Sequence, residues 1–268
     1  MKSIIFTLCM FFVSAAYSFE KGTSFYWKIE GSIANLPNNY DVYGLDLDIV
    51  AQNPGIIRDL QSHGKRIVCY FSAGTYELDR KPNRYDRYYS GPKGSRMAGW
   101  NELWLDIRRA DVRAAHSRIL QDAKLANCDA VEPDNVDHST QGNIGIGSVV
   151  TAQQNIAYLQ WLGSEARAIG IKIALKNTGD HISSGRLENY FDFMINEQCF
   201  TFSECDKVLP FSQAGKAVYI AEYKTTHESA PYPMRNFARD CRFAKDNGIF
   251  FFVYKTQSVN GISERICW

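Results

Sequence analysis

The feature that most constrains this chain is a recurring unit in which a helical pattern ends at a glycine and a β-rich segment follows. Apolar helical stripes end at Gly64, Gly170 and Gly248, and each is followed by a run of β-branched and aromatic residues. Glycine just beyond a helix accepts a positive φ without a Cβ penalty, so it connects a helix to a strand readily. The repeat therefore predicts βαβ units and a parallel sheet.

Eight segments carry a strand pattern. They are residues 25–29, 42–47, 67–71, 129–132, 171–175, 191–196, 217–220 and 249–253. Eight strands alternating with helices in about 250 residues fit a (β/α)8 barrel, so we predict an α/β fold of this kind in a single domain, 19–268. An open doubly wound sheet is the alternative. The connection 31–41 is too short and too rich in Pro and Asn for a regular helix.

The first 18 residues have the pattern of a secretory signal peptide. Lys2 is positive, residues 4–13 are apolar, and Ala16-Tyr17-Ser18 is a small-residue cleavage site. Cleavage after Ser18 leaves a domain beginning at residue 19, and cleavage after Ala16 is the alternative. A transmembrane anchor needs about 20 apolar residues, and polar residues interrupt this run earlier. We predict an exported protein with no membrane association after cleavage.

The cysteine content favours disulfides. One of the seven cysteines lies in the predicted signal, and an even number in an exported chain favours pairing. Six cysteines allow fifteen connectivities. We predict Cys199 with Cys205, Cys241 with Cys267, and the remaining Cys69 with Cys128. A zinc site is the alternative, but neither Cys-x-x-Cys nor His-Glu-x-x-His spacing occurs, and we predict no metal site.

The near-zero net charge of the chain argues against partners that bind through overall electrostatic attraction. The sequence has 30 Lys and Arg against 29 Asp and Glu, and one of those lysines lies in the predicted signal. A neutral chain has no overall attraction for nucleic acid or anionic lipid, so electrostatic steering must be local. We predict that the protein binds no nucleic acid.

Acidic residues recur where the predicted strands end. In a (β/α)8 barrel the active site lies at the C-terminal ends of the strands. Buried carboxylates are costly unless they are paired or used, so their convergence predicts a polar pocket. Glycoside hydrolysis needs two carboxylates flanking a bond, and Asp134 and Glu197 suit this role from two strands apart. Each also has a purely structural explanation, Asp134 as a turn cap and Glu197 as an ion-pair partner of Lys176.

Six segments, in order along the chain, resemble glycoside hydrolase family 114 and cover most of it from Trp27 to about Tyr223. The segments are Cys69–Glu77, Trp104–Arg108, Val131–Asp137, Leu175–Asn177, Asn196–Phe200 and Ala214–Val218. The resemblance implies a (β/α)8 fold and endo-α-1,4-polygalactosaminidase activity. It maps the catalytic pair onto Asp134 and Glu197.

The resemblance and the strand ends together define an expected site. Its predicted substrate-binding residues are Trp27, Asp46, Tyr70, Ser72, Glu132, Asp137, Lys176, Asn177 and Glu222. The expected partner is a cationic, galactosamine-containing polysaccharide, which an acidic rim would attract. Acid–base cleavage of a glycosidic bond needs only carboxyls and water, so we predict no cofactor, and we expect a monomer.

Three expectations qualify this reading. The segment 79–99 is rich in Arg, Lys and Tyr, which predicts repulsion of a cationic chain. A carbohydrate-binding barrel without turnover is one alternative function, because fold does not dictate function. A hydrolase of a different α-linked glycan is the other.

Overall fold

The computed structural model describes residues 19–80, 82–226 and 230–267, so the predicted signal, 1–18, lies outside the described residues. The strands are β1 Phe25–Lys28, β2 Val42–Asp46, β3 Arg66–Ser72, β4 Thr75–Glu77, β5 Glu102–Trp104, β6 Ala130–Asp134, β7 Lys172–Lys176, β8 Phe193–Glu197, β9 Val218–Tyr223, β10 Phe250–Tyr254 and β11 Ser263–Cys267. The helices are α1 Leu47–Gln52, α2 Pro54–Ser62, α3 Ala110–Leu125, α4 Ala152–Ile169, α5 Ile182–Gly185, α6 Leu209–Gln213 and α7 Phe237–Asn247.

The eight predicted strands form the barrel. They are β1, β2, β3, β6, β7, β8, β9 and β10, and each pairs in parallel with the next. This confirms the (β/α)8 architecture and excludes the open doubly wound sheet. The connection 31–41 forms turns, as its Pro and Asn content predicts. The hairpin of β4 and β5 and the antiparallel strand β11 are additions to the repeat.

The barrel closes without a strand ladder between β1 and β10. β10 pairs with β9 on one edge and with β11 on the other. The seam is held by the Ile29 amide, which donates to the Val259 carbonyl at 2.9 Å, and by the Tyr254 hydroxyl, which donates to the Trp27 carbonyl at 2.6 Å. The segment after β10 therefore completes the wall beside β1.

Two apolar layers follow from the alternation of side chains along each strand. One layer fills the barrel interior with aromatic rings, for example Phe25 stacked on Tyr219 at 4.4 Å between ring centroids. The other layer lies between the sheet and the helices. Whether a residue faces the interior or the helix layer therefore depends on its parity in the strand.

Helix ends agree with the predicted connections. Thr151 caps α4 through a capping box with Gln154, and Gly170, with φ 70°, is the C-cap residue of α4. Gly248, with φ 61°, is the C-cap residue of α7. Both glycines have the left-handed conformation that favours glycine.

Three disulfides staple the barrel: Cys69–Cys128, Cys199–Cys205 and Cys241–Cys267. They confirm the predicted pairing and leave no cysteine of the described chain for the zinc alternative. No helix within the described ranges is both long enough and apolar enough to span a membrane.

Candidate active site

A cavity of about 470 Å³ lies at the C-terminal ends of the barrel strands. Seven of the residues predicted for the site line it: Trp27, Tyr70, Asp134, Asp137, Lys176, Asn177 and Glu197. Asp134 and Glu197 are the last residues of β6 and β8, so both carboxyls stand on the barrel wall itself. The predicted strands 129–132 and 191–196 end before these acids, which would place both on the following loops; the observed strands extend farther along the chain and include them.

The centre of this site is the buried ammonium of Lys176. Its Nζ lies 3.0 Å from Asp134 Oδ1, 3.1 Å from Glu197 Oε2 and 3.2 Å from Glu132 Oε1. The same nitrogen lies 4.9 Å from the centre of the Trp27 ring. One cation therefore holds three carboxylates in a setting where its own side chain is 1 % exposed.

The shared ammonium limits the separation of the two predicted catalytic groups. Asp134 Oδ1 and Glu197 Oε2 can be no farther apart than their distances to Lys176 Nζ, 3.0 and 3.1 Å, laid end to end. The limit applies to this one pair of oxygens, and it is compatible with the about 5–5.5 Å between carboxyl groups that is typical of retaining glycosidases.

Strand parity explains why these side chains meet. Ala130, Ala174 and Phe193 face the barrel interior. Residues that follow them at even spacing share that face. Glu132 and Asp134 lie two and four residues after Ala130 in β6. Lys176 lies two residues after Ala174 in β7, and Glu197 lies four residues after Phe193 in β8. The ion cluster is thus the top layer of the barrel interior.

The chain turns sharply directly after each of these strands. Asn135, Asn177 and Gln198 follow the last residues of β6, β7 and β8, and their φ angles are 59°, 50° and 63°. Positive φ is uncommon for residues other than glycine and occurs often at functional sites. Adding a Cβ at Gly74 would place it 1.5 Å from the Asn135 carbonyl oxygen, so this turn packs closely against the β3–β4 connection.

Each catalytic candidate receives three hydrogen-bond or ionic partners. Asp134 accepts from the Tyr70 hydroxyl at 3.2 Å and from the Asn135 amide at 2.8 Å, besides Lys176. Glu197 accepts from Asn177 Nδ2 at 3.1 Å and from the Tyr223 hydroxyl, besides Lys176. Both carboxyls are therefore fixed in orientation as well as in place.

The pKa values of the cluster are shifted in different directions. Burial raises the pKa of Asp134, and the Lys176 charge offsets only part of that shift. Burial also acts to raise the pKa of Glu197, but the Lys176 charge and the hydrogen bonds from Tyr223 and Asn177 hold it below its ordinary value. Burial raises the pKa of Glu132 to about 8. Burial acts to lower the pKa of Lys176, but the three carboxylates hold it well above its ordinary value.

Four predicted substrate-binding residues lie outside the cavity lining. Glu132 is fully buried beneath the cavity, where it accepts from Trp27 Nε1 at 2.9 Å. Ser72 is buried and hydrogen-bonds Thr75 at 2.5 Å and Asn135 at 3.0 Å.

The remaining two are held by other partners. Asp46 caps α1 and pairs with Arg80 at 2.7 Å. Glu222 faces the helix layer and accepts from the amide of Phe200 at 2.8 Å and the hydroxyl of Thr201 at 2.6 Å. Neither carboxyl lines the cavity, although Arg80, the partner of Asp46, does.

Among the site residues that were not predicted are Tyr223 and Glu102, and Tyr223 follows from a signal in the sequence. Tyr223 is one residue after Glu222, and strand parity turns the tyrosine inward and the glutamate outward. Glu102 comes from the β4–β5 hairpin and lines the cavity, where it accepts from Thr75 and from Asn135 at 3.3 Å. Burial raises the pKa of Glu102 to about 7. No strand-end argument predicts Glu102, because the hairpin lies outside the barrel.

Comparison with known proteins identifies the family. The family model described as glycoside-hydrolase family GH114 matches residues 12–267. The chain belongs to this family. It is therefore a glycoside hydrolase, and its cavity lies at the strand ends, where (β/α)8 enzymes carry their active sites.

Solved structures resemble this GH114 hydrolase over nearly its whole length. Aspergillus fumigatus Ega3, solved in complex with galactosamine, is 30% identical, with a TM-score of 0.78 and coverage of 94% of this chain and 98% of that one. The glycoside hydrolase domain of PelA from Pseudomonas aeruginosa is 14% identical, with a TM-score of 0.63 and coverage of 91% and 98%, and it shares the fold. None of the curated proteins compared with this hydrolase matches it.

Proposed function

We propose that this hydrolase cleaves α-1,4-linked galactosamine polymers within the chain, with Asp134 and Glu197 as the catalytic pair. The observation that carries the proposal is the single ammonium of Lys176, which lies 3.0 Å from one carboxyl and 3.1 Å from the other at the wall of one cavity. Two carboxyls fixed around a common point can act on the same glycosidic bond.

The chemistry requires one proton and one nucleophile. One carboxylic acid donates its proton to the glycosidic oxygen while the other carboxylate attacks the anomeric carbon, which breaks the C–O bond and forms a glycosyl ester. Water then attacks the anomeric carbon and gives its proton to the first carboxylate, which restores both groups. The opposite pKa shifts of Asp134 and Glu197 suit a pair in which one member holds a proton and the other is ionised. The contact of both carboxyls with one ammonium suits direct attack of a carboxylate on the sugar, which supports retention of configuration.

Charge supports an aminosugar substrate. Among the described residues, eight acids line the cavity against the cations Arg80 and Lys176: Glu30, Glu77, Glu102, Asp134, Asp137, Asp180, Glu197 and Glu204. Glu102 and Asp137 receive their hydrogen bonds from neutral side chains, Glu102 from Thr75 and Asp137 from Gln141 at 2.7 Å. Such carboxylates attract the ammonium groups of a deacetylated galactosamine chain. The galactosamine bound to Ega3 supports the same substrate class.

A panel of polysaccharides tests this function. Wild-type protein is incubated with partly deacetylated α-1,4-galactosamine polymer, its fully acetylated form, β-linked chitosan and anionic polygalacturonate, and new reducing ends are counted. We expect reducing ends from the partly deacetylated α-linked polymer, with an early fall in mean chain length because cleavage is internal. Comparable release from polygalacturonate, or tight binding of the galactosamine polymer without any product, would overturn the proposal.

The proposal includes export as a monomeric single domain. Residues 1–18 have the signal pattern, and the three disulfides of the domain suit an oxidising compartment. Expression of the full chain in a secreting host, followed by mass spectrometry of the medium, should give a protein that begins at residue 19. Light scattering should give the mass of one chain. An intracellular product that retains residues 1–18 would contradict the export.

A further inference from the structure

An exposed aromatic ring stands on the wall of the cavity. Phe202 is 54% exposed and lines the same cavity as Asp134 and Glu197. Five large apolar side chains are exposed in the described part of the chain: Leu125, Val149, Phe202, Ile262 and Ile266. Among these five, Phe202 is the one that lines the cavity. Its position is therefore different from that of an apolar residue scattered on the surface.

The loop that carries Phe202 is built to be rigid. The disulfide Cys199–Cys205 closes it directly after β8. Inside the loop the Phe202 amide donates to the Gln198 carbonyl at 3.0 Å, and the Glu204 amide donates to the Cys199 carbonyl at 2.8 Å. The exposure of the Phe202 ring is thus a fixed feature of the loop.

The loop is also anchored from below. The buried Glu222 carboxylate accepts the amides of Phe200 at 2.8 Å and Thr201 at 3.3 Å. The Phe200 ring packs inward on Phe251, with 4.9 Å between ring centroids. Phe200 thus anchors the loop, whereas Phe202 in the same loop lies at the cavity. Burial of Phe202 therefore contributes little to folding.

The charges next to Phe202 are already paired. Lys207 Nζ lies 2.6 Å from Asp180 and 2.7 Å from Glu204, and both of these acids line the cavity. Their attraction for a substrate ammonium is weakened by the neighbouring lysine. Contact with a sugar at this edge of the cavity must then depend on the apolar ring more than on charge.

We propose that Phe202 is a stacking platform at the edge of the cavity that binds the C–H face of a sugar ring beyond the two rings joined by the cleaved linkage, and so sets how strongly the hydrolase holds long chains. The inference rests on the proposed function. Aromatic rings bury apolar faces well and also attract cations at their faces, so both the ring and the ammonium of an aminosugar suit this surface. Glu222 and the Cys199–Cys205 disulfide would then serve to position the platform.

The test compares Phe202→Ala with Phe202→Trp and with Leu125→Ala, which truncates an apolar residue 81% exposed and outside the cavity lining. Kinetics are measured on galactosamine oligomers of increasing length, together with the melting temperature. We expect Phe202→Ala to raise KM for long oligomers about fivefold or more, with kcat and the melting temperature close to wild type. The shortest cleaved oligomer should show a smaller change. Phe202→Trp should keep a low KM, and Leu125→Ala should behave as wild type.

The outcomes separate the two proposals. If wild-type protein cleaves the oligomers and Phe202→Ala keeps the wild-type KM at every length, the platform is refuted and the function stands. If Phe202→Ala instead loses kcat and melting temperature together, the residue is structural and the platform is again refuted. A wild-type protein that cleaves no galactosamine oligomer overturns the proposed function and the platform with it.

Discussion

Two cations at the same end of the barrel each gather three carboxylates, and they do so in different ways. Arg80 lies 2.7 Å from Asp46, 2.9 Å from Asp48 and 2.8 Å from Glu77. Arg84 adds a second guanidinium, 2.9 Å from Asp48. The planar fork of arginine presents five donors, so this Arg80 cluster satisfies its acids by geometry as well as by charge.

The Lys176 cluster has one ammonium for Glu132, Asp134 and Glu197. Its three ionic contacts, at 3.0 to 3.2 Å, are longer than the contacts of Arg80. Lysine is a point charge with three donors, so hydroxyl and amide groups must donate the remaining hydrogen bonds to the three carboxylates. Negative charge exceeds positive charge here by more than in the Arg80 cluster, because one lysine faces three acids here and two arginines face three acids there.

The comparison shows that acids at strand ends are not equivalent. Carboxylates that arginines compensate hold the segment after β4 in place, whereas carboxylates that share one lysine keep unbalanced charge at the cavity. It also changes the interpretation of the basic segment 79–99. Arg80 and Arg84 are ion-paired with acids of the barrel, so these two charges add little to repulsion of a cationic chain.

Removal of a carboxylate from each cluster should give the largest contrast. Asp134→Asn and Glu197→Gln should each lower kcat by about 10³-fold or more, because each removes a group that transfers the proton or attacks the sugar. Asp46→Asn should leave kcat within a few-fold of wild type and lower the melting temperature, because Asp46 caps α1 and pairs with Arg80. Steady-state kinetics and thermal melts check both expectations. Equal losses of kcat in Asp46→Asn and Asp134→Asn would contradict the distinction between a structural Arg80 cluster and a catalytic Lys176 cluster.

Replacement of a cation in each cluster should give the second-largest contrast. Lys176→Met should lower kcat/KM by about 10²-fold and move the acidic limb of the pH–rate profile to higher pH, because the lysine charge lowers the pKa of both Asp134 and Glu197. Arg84→Met, in the other cluster, should leave the position of that limb unchanged. A Lys176→Met enzyme with the wild-type pH profile would show that the ammonium does not control the pair.

The smallest effect concerns stability and the buried Glu132. Burial raises its pKa from 4.5 to about 8 in the folded protein. The unfolded chain then releases this proton first, so wild-type protein loses stability as the pH rises between these two values. Glu132→Gln has no such proton to lose. The melting temperature of the variant, relative to that of wild type, should therefore increase as the pH rises across this range. Melting curves that run parallel from pH 5 to pH 8 would contradict the shift.

Periodic patterns could be read from the sequence, and most of the fold followed from them. The eight barrel strands, the helix ends at Gly170 and Gly248 and the disulfide pairs were predicted because each depends on local chemistry or on spacing. The hairpin of β4 and β5 was missed because its strands are only three residues long. β11 was missed because its exposed residues do not alternate clearly.

The site was predictable to the extent that strand parity determines it. Asp134, Lys176 and Glu197 occupy the inward positions at the ends of three neighbouring strands. The alternation of side chains along β9 also predicts that Tyr223, and not Glu222, faces the site. The partner of Asp46 was not predictable, because Arg80 lies 34 positions along the chain and reaches the acid only through the tertiary fold.

The stereochemistry of the first product tests most directly whether Asp134 and Glu197 act together on one linkage. Proton NMR follows wild-type protein as it begins to digest α-1,4-galactosamine oligomers, before the new reducing ends mutarotate. The Lys176 ammonium contacts an oxygen of each carboxyl, at 3.0 and 3.1 Å, and this closeness suits direct attack of one carboxylate on the sugar, as in retaining enzymes. We predict that the α-anomer appears first. The first appearance of the β-anomer, or of no product at all, would contradict the account.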